Sequence, residues 1–416
     1  MPSILFVNRV FPPDRGATGR LAADAARHLQ SLGWDAAVLC CGQGESVARH
    51  DGVEVRRVAA PRGQTWGDTL DQLAALGRGL ADHPPADVVV LMSDPPLLGL
   101  LGRLAKARGA VSIHWLHDLY PDLFDLVAPA EAPSAAVLRE AGRMALAAHD
   151  RILAIDPSMA APLAAYGIAG ERLAVVPNWA DTWAGTWADG PAGGRGEGRA
   201  PKPNGLHVVH AGSLGRAHDT SGVLEAAARL AAEVPAIHFT FAGGGSARHG
   251  FDEAVRAHGL ADTITCHPWL EDAELVRLIR SADVALAMLD RRAAGMALPC
   301  KAHLALALER PVLFCGPPGT GLAELLHDAG AGLWLPSGDG QALAAALARL
   351  AGDPGERRRL AAGAASIAAD HGRAAGVERF AIAVRDTLAG PAADALPLLP
   401  TAPAILARRG IGPCRP

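Results

Sequence analysis

An α/β protein of two lobes is predicted by three features of this sequence. Short β-branched runs alternate with Ala- and Leu-rich segments of helical period, the pattern of parallel strands joined by crossover helices. The alternation fails once, near the middle of the chain, and then restarts. The 416 residues also exceed the size at which one hydrophobic core keeps growing, so two domains with a cleft between them are expected.

The first strand is expected at Ile4 to Asn8, followed by a helix on which Leu21, Ala25, Leu29 and Leu32 recur until Gly33 closes it. Further strands are expected at Ala36 to Cys40, Val53 to Val58, Val88 to Met92, Val111 to Leu116, Ile152 to Ile155 and Leu173 to Val176. From Ala180 to Gly205 the pattern gives way to Gly, Pro, Asp and Arg, a composition that buries too little apolar surface to order itself and reads as a linker. Strands resume at His207 to His210, Ile237 to Ala242, Thr263 to Cys266, Val284 to Met288, Val312 to Phe314 and Leu333 to Leu335. Helices are expected over Asp339 to Leu388, burying Val377, Ile382 and Val384, before a Pro-rich tail of weak periodicity. The expected organisation is a first lobe at 1–180, a linker at 181–205, a second lobe at 206–370, a helix at 371–388 returning to the first lobe, and a flexible tail at 389–416.

Composition narrows the function. A net charge of −4, from 39 basic and 43 acidic residues, leaves no electrostatic footprint for nucleic acid. The six cysteines form no C-x-x-C pair and stand at no metal-ligand spacing, so neither zinc nor a disulfide framework is indicated, and a reducing cytoplasm suits them. The amino terminus enters an apolar strand at once, without the basic start of a signal peptide, and no stretch reaches the roughly 20 apolar residues of a membrane span. Membrane contact is therefore expected to be peripheral at most, on the inner face, through Leu97 to Arg108 and Ala135 to His149, which carry Arg103, Lys106, Arg108, Arg139 and Arg143.

Three glycine-containing turns follow strands and suit anionic ligands. The first, Arg15-Gly16-Ala17-Thr18-Gly19, opens a helix, where backbone N–H groups and the positive helix end point outward. The second and third are Gly212-Ser213-Leu214-Gly215-Arg216 and Gly243-Gly244-Gly245, on neighbouring strands of the second lobe, beyond whose carboxyl ends open α/β sheets bind ligands. Arg216 and Lys301 are the cations that would stabilise charge building on a departing diphosphate. In His114-Trp115-Leu116-His117-Asp118-Leu119-Tyr120, imidazoles and carboxylate cluster at a strand end, with His117 the strongest candidate. Asn178, after the strand ending Val175-Val176, either caps a turn or touches ligand.

Taken together these segments resemble the family 4 glycosyltransferases of the GT-B fold, in particular the bacterial branch that builds surface polysaccharides and lipid-linked oligosaccharides. The similarity runs in order through Phe11-Pro12-Pro13-Asp14, Ser93-Asp94-Pro95-Pro96, Asp118-Leu119-Tyr120-Pro121-Asp122, Val176-Pro177-Asn178-Trp179, Gly212-Ser213-Leu214-Gly215, Phe241-Ala242-Gly243-Gly244-Gly245 and Leu298-Pro299-Cys300-Lys301. It covers nearly the whole chain to about Leu388. The resemblance implies two facing Rossmann-like lobes and a retaining transfer of a sugar from a nucleotide diphosphate, UDP favoured, to an acceptor hydroxyl, with no metal and no cofactor. It implies catalytic roles for His117, Arg216 and Lys301, and donor contacts from Gly16, Gly212, Ser213, Gly243, Gly244, Trp269, Leu270, Met296, Leu298 and Pro299. Acceptor contacts fall on Arg15, Thr18, Asp118 and Tyr120, and the acceptor is a lipid-linked sugar or a small molecule.

Two departures stand out. The glutamate pair that many members carry falls on Met296 and Leu304, and the Arg and Lys of the first phosphate loop fall on Ser213 and His218. A silent nucleotide-sugar-binding partner of another transferase and a nucleotide-sugar epimerase are the alternative functions.

Overall fold

The computed structural model describes residues 1–63, 65–128, 132–180, 205–233 and 237–390. The expected linker falls almost wholly, and the expected tail largely, outside the described residues. The described residues form two compact units: 1–180 with 295–298 and 373–390, and 205–294 with 299–372.

The first unit holds β1 (Ser3–Val7), β2 (Asp35–Gly42), β3 (Ser46–His50), β4 (Val53–Ala59), β5 (Val88–Leu91), β6 (Val111–Leu116), β7 (Arg151–Ala154) and β8 (Leu173–Val175). Their order is β3-β4-β2-β1-β5-β6-β7-β8, parallel throughout except for β3. The expected strands are present within one or two residues; β3 is the one the pattern missed. It lies at the sheet edge, mostly exposed and polar, and pairs antiparallel with β4 through Asp51-Gly52, whose φ values of 49° and 88° make the two-residue turn of a hairpin. The Asp-Gly dipeptide was the available signal.

Helix Ala17–Ser31 buries Leu21, Ala22, Ala25, Ala26 and Leu29, and Gly33 ends it with φ 86°. Leu32 is 44% exposed, contrary to expectation, because the helix stops at Ser31 and leaves Leu32 outside the buried stripe. The helix Arg373–Ala389 belongs to this unit: Phe380 packs on Phe6 at 5.8 Å and on Trp115 at 4.3 Å between ring centroids. Val377 and Val384 are buried as expected. Ile382 is 37% exposed, because the buried face runs through 377, 380, 381 and 384, and 382 falls on another side at 100° per residue.

The second unit holds β9 (Leu206–Ala211), β10 (Ile237–Ala242), β11 (Ile264–His267), β12 (Val284–Met288), β13 (Val312–Gly316) and β14 (Gly332–Pro336), ordered β11-β10-β9-β12-β13-β14 and all parallel. This is the 3-2-1-4-5-6 order of a dinucleotide-type sheet, with its switch point between β9 and β12. The strands β12 and β13 were legible because both faces are covered, so they read as continuous apolar runs.

On the segments considered for membrane contact, basic side chains meet partners within the fold: Lys106 with Asp150 at 2.7 Å, Arg139 with Asp125 at 2.9 Å and Arg143 with Glu140 at 2.6 Å. Among the described residues no helix is long and apolar enough to cross a membrane.

Candidate functional site

In the first unit three strand ends are tied together. After β1, Arg9 forms a two-pronged ion pair with Asp94 beyond β5, at 2.6 and 3.0 Å, and the Arg9 amide donates to the Asp94 carbonyl. Ser93 Oγ in turn accepts the amides of His117 at 2.8 Å and Asp118 at 3.3 Å beyond β6. The β1 and β5 ends flank the switch point of this sheet, where ligands of such folds bind. Asn8 fixes the loop from within, donating to the Val10 carbonyl and to Thr18 Oγ1 at 3.0 Å, so Thr18 has a structural partner. Gly16 and Gly19 let the helix start press on Val10: a Cβ on either would come within 2.5 and 2.6 Å of its atoms.

Beside this loop lies a cavity of about 260 Å³ lined by Arg9, Asp14, Arg15, Cys41, Gly42 and Arg62, among others. Arg57 supports it from below, donating to Asp14 at 3.0 Å and to the Pro12 carbonyl at 2.8 Å, while Arg62 reaches the other Asp14 oxygen at 3.2 Å. Sequence reasoning named Arg15 but missed Arg9, Arg57 and Arg62, whose partners are far away in the chain.

His117 is buried, and burial pushes its pKa down to about 4, against a weaker upward pull from the Trp115 carbonyl, so the ring is neutral at pH 7. Nδ1 lies 3.2 Å from that carbonyl, which assigns the proton to Nδ1 and leaves a lone pair on Nε2. Burial, helped by Asp94, raises Asp118 to about 6, and Tyr120, packed on Phe124 at 4.6 Å, is raised well above the usual phenol value by burial first. His114 turns out to be structural: its Nδ1 meets the Leu91 carbonyl at 2.8 Å and its ring stacks on His149.

Met296 and Leu298 are placed with this unit, as is Gly16, rather than with the donor contacts expected in the second unit. The Leu119 amide donates to the Met296 carbonyl at 2.6 Å, and Gly295 packs against Ser158 and Pro162, where a Cβ would be 2.9 Å from the Ser158 carbonyl oxygen. Leu304, at the other missing glutamate position, is 3% exposed in the core face of its helix.

In the second unit the structure brings Gly212, Ser213, Gly243, Gly244, Trp269 and Lys301 to the carboxyl end of the parallel sheet. The turn after β9 is held against the turn after β10 by the Gly212 amide to Ala242 at 2.9 Å, Leu214 to Gly244 at 2.7 Å and Ala247 to Leu214 at 2.9 Å. No side chain fits between them: a Cβ on Gly243, with φ 139°, would be 2.0 Å from the Gly212 carbonyl oxygen. Lys301 begins the helix Lys301–Ala307, and its stem crosses Gly212, where a Cβ would be 3.2 Å from Lys301 Cγ. Pro299 and Lys301 both line a small cavity beneath these turns. Trp269 is 47% exposed and lies over Gly244, with its neighbour Leu270 half-buried. Arg248, which the sequence did not single out, clamps the second turn: it donates to the Gly243 carbonyl and to the His267 carbonyl at 2.8 Å while pairing with Asp252 at 2.7 Å. Arg216 is exposed at the apex of the first turn.

The buried imidazoles make stability sensitive to acid. Burial holds His114, His117 and His210 at about 4 when folded, against an unfolded value of 6.5, so between these limits the unfolded chain binds more protons. Their contribution is complete above pH 6.5 and is lost as pH falls toward 4. Asp118, raised from 3.8 to about 6, works the other way and offsets roughly one of the three. The urea midpoint should therefore fall steadily as pH is lowered from about 7 to about 5. A flat midpoint over that range would contradict the burial of these rings.

Residues 16–179 match the family model described as a glycosyl transferase 4-like domain, and residues 205–353 match the model for glycosyl transferases group 1, together about three-quarters of the chain. The protein is a glycosyltransferase. This glycosyltransferase is 26% identical over 376 residues to a D-inositol 3-phosphate glycosyltransferase of Thermomonospora curvata, covering 83% of this chain and 84% of the relative. Its fold is GT-B, shared with sucrose-phosphate synthase of Thermosynechococcus elongatus at TM-score 0.71 and 18% identity, over 94% of this chain and 100% of that one. Anabaena HepE, solved in complex with UDP-glucose, shares it at TM-score 0.65 and 16% identity, over 92% and 99% of the two chains.

Proposed function

We propose that the glycosyltransferase moves a hexosyl or N-acetylhexosaminyl group from a UDP-sugar to an acceptor hydroxyl with retention of anomeric configuration, in the synthesis of a surface polysaccharide or glycoconjugate. The observation that carries this is the pair of glycine turns after β9 and β10, packed too closely for a Cβ on Gly243, with Lys301 crossing Gly212: backbone amides and a cation at the switch point of a dinucleotide-type sheet. HepE, a structural relative, binds UDP and UDP-glucose, which favours uridine.

In this proposal the bond from the anomeric carbon to the diphosphate breaks as the bond to the acceptor oxygen forms. The acceptor proton passes to a diphosphate oxygen, so no metal or cofactor is required. Lys301 and Arg216 offset the charge on the departing diphosphate. His117, neutral with a lone pair on Nε2, accepts a hydrogen bond from a sugar hydroxyl. The acceptor belongs to the first unit. Its cavity, lined by Arg9, Arg15 and Arg62, suits an anionic group, and the Thermomonospora relative is named for a phosphorylated acceptor.

Incubating the purified protein with UDP-sugars and anionic acceptors and measuring UDP release tests this. Release should require acceptor and persist with EDTA. The burial of Leu304 where relatives place a carboxylate favours one second reading, a silent nucleotide-sugar-binding partner. Calorimetric binding of UDP-glucose without any UDP release across the panel would replace the transferase reading with that one.

A further inference from the structure

We infer that His218 is a positioning residue for the donor site, holding the turn that carries Arg216 by accepting a hydrogen bond that only its neutral ring can accept. This rests on the second unit binding the donor diphosphate. The turn Gly215 to His218 is closed twice. The His218 amide donates to the Gly215 carbonyl at 3.0 Å, and the Gly215 amide donates back to His218 Nδ1, also at 3.0 Å. A third bond, from the Asp290 amide to the Ala217 carbonyl at 2.7 Å, pins the turn to the segment after β12. Arg216 occupies the second position of this turn, so its direction follows from the closure.

An imidazole that accepts at Nδ1 carries its proton on Nε2. Protonation at Nδ1 converts the acceptor into a donor facing the Gly215 N–H. The other group within reach is the Gly215 carbonyl, 3.3 Å from Nδ1, which already accepts the His218 amide. Acid therefore exchanges one arrangement of the turn for another. Burial lowers the His218 pKa, so the accepting form prevails at neutral pH.

The charged and titratable groups around it are few. His210 on β9 faces the ring edge-on at 6.3 Å between centroids, with Arg248 of helix Arg248–Ala257 acting on His210. Arg216 and Asp219 flank His218 on its own segment, and Asp290 with its partner Arg292 stands on the segment bonded to Ala217. His210 is itself held neutral, its Nδ1 on the Leu286 carbonyl at 3.0 Å, so the carboxylates are the groups that would draw a proton to His218.

Two measurements test this. In ¹⁵N-histidine-labelled protein without ligand, the signal lost in the His218→Asn variant should show Nδ1 unprotonated at pH 8 and titrate below the ordinary imidazole value. A protonated Nδ1 at pH 8 would overturn the inference. The second measurement is calorimetric binding of UDP-glucose, which as a diester lacks the second phosphate ionisation near about pH 6 that free UDP has. Its Kd for the wild type should rise from pH 8 to pH 5.5, toward a limit of roughly tenfold, the scale of one hydrogen bond, as the ring takes up its proton. His218→Ala should weaken binding at pH 8 by about the same factor, and His218→Asn, whose amide oxygen stands where Nδ1 does, should restore most of it and remove the acid dependence. Wild-type acid dependence persisting in His218→Asn would sink the inference. Failure of the wild type to bind UDP-glucose at pH 8 would count against the donor assignment instead, and the unliganded titration would still decide the role of His218.

Discussion

Replacing Lys301 by alanine should lower kcat for sugar transfer by about 10²-fold, the scale of removing one fixed group from a developing negative charge. The ammonium is carried on a stem packed across Gly212, so its direction is set before ligand arrives. Charge on the diphosphate is larger in the transition state than in the bound donor, so the loss should appear mainly in kcat, with UDP-sugar affinity falling much less. Steady-state UDP release combined with calorimetry of the same variant separates the two. Wild-type kcat in Lys301→Ala would remove this residue from the chemistry. A large rise in Kd at unchanged kcat would make it a binding residue only.

Much of this site was legible before any coordinates, and the parts that were not share a cause. Glycine turns after strands are local signals: Gly243 is needed where two backbones approach too closely for a Cβ, Gly212 and Gly244 where the Lys301 stem and the Trp269 ring lie against the main chain, and position in the pattern reveals them. Lys301 was legible because it opens a helix directly after a Leu-Pro-Cys segment. Arg9, Arg57 and Arg248 were not, because each is recognised by what it bonds. Their partners Asp94, Asp14 and the His267 carbonyl lie 85, 43 and 19 residues away in the chain. The same limit explains Met296, whose place with the first unit depends on a bond to the Leu119 amide that no periodicity encodes. The missed hairpin is different: Asp51-Gly52 announces the turn, but the strand before it is exposed on both faces and offers no alternation of buried and polar positions to read.

The largest loss of stability from a single side chain is expected from Asp24→Ala, about 3–5 kcal/mol, the usual consequence of removing one partner from a buried ionic group. Asp24 sits on the buried face of helix Ala17–Ser31 with no exposed surface, and three elements of the first unit converge on it. Arg27 donates to one oxygen at 2.9 Å, Arg373 at the start of the last helix approaches the same oxygen at 3.3 Å, and Trp179 Nε1 donates to the other at 3.1 Å. Arg27 keeps a second partner in Asp51 at 2.6 Å, so the cost falls on the buried indole N–H and on Arg373. Trp179 is also boxed in, since a Cβ on Gly376 would lie 2.5 Å from it, and the tryptophan cannot turn to find water. Calorimetry should show the melting transition of this unit lowered by roughly 10 °C, at about 2–4 °C per kcal/mol for a unit of this size. Glu140→Ala, which breaks the exposed pair with Arg143, is the matched control and should change the transition by about 1 °C or less. Equal shifts in the two variants would mean that Asp24 is no more important to the fold than a solvated surface carboxylate, and would argue against the convergence of these three elements on one buried charge.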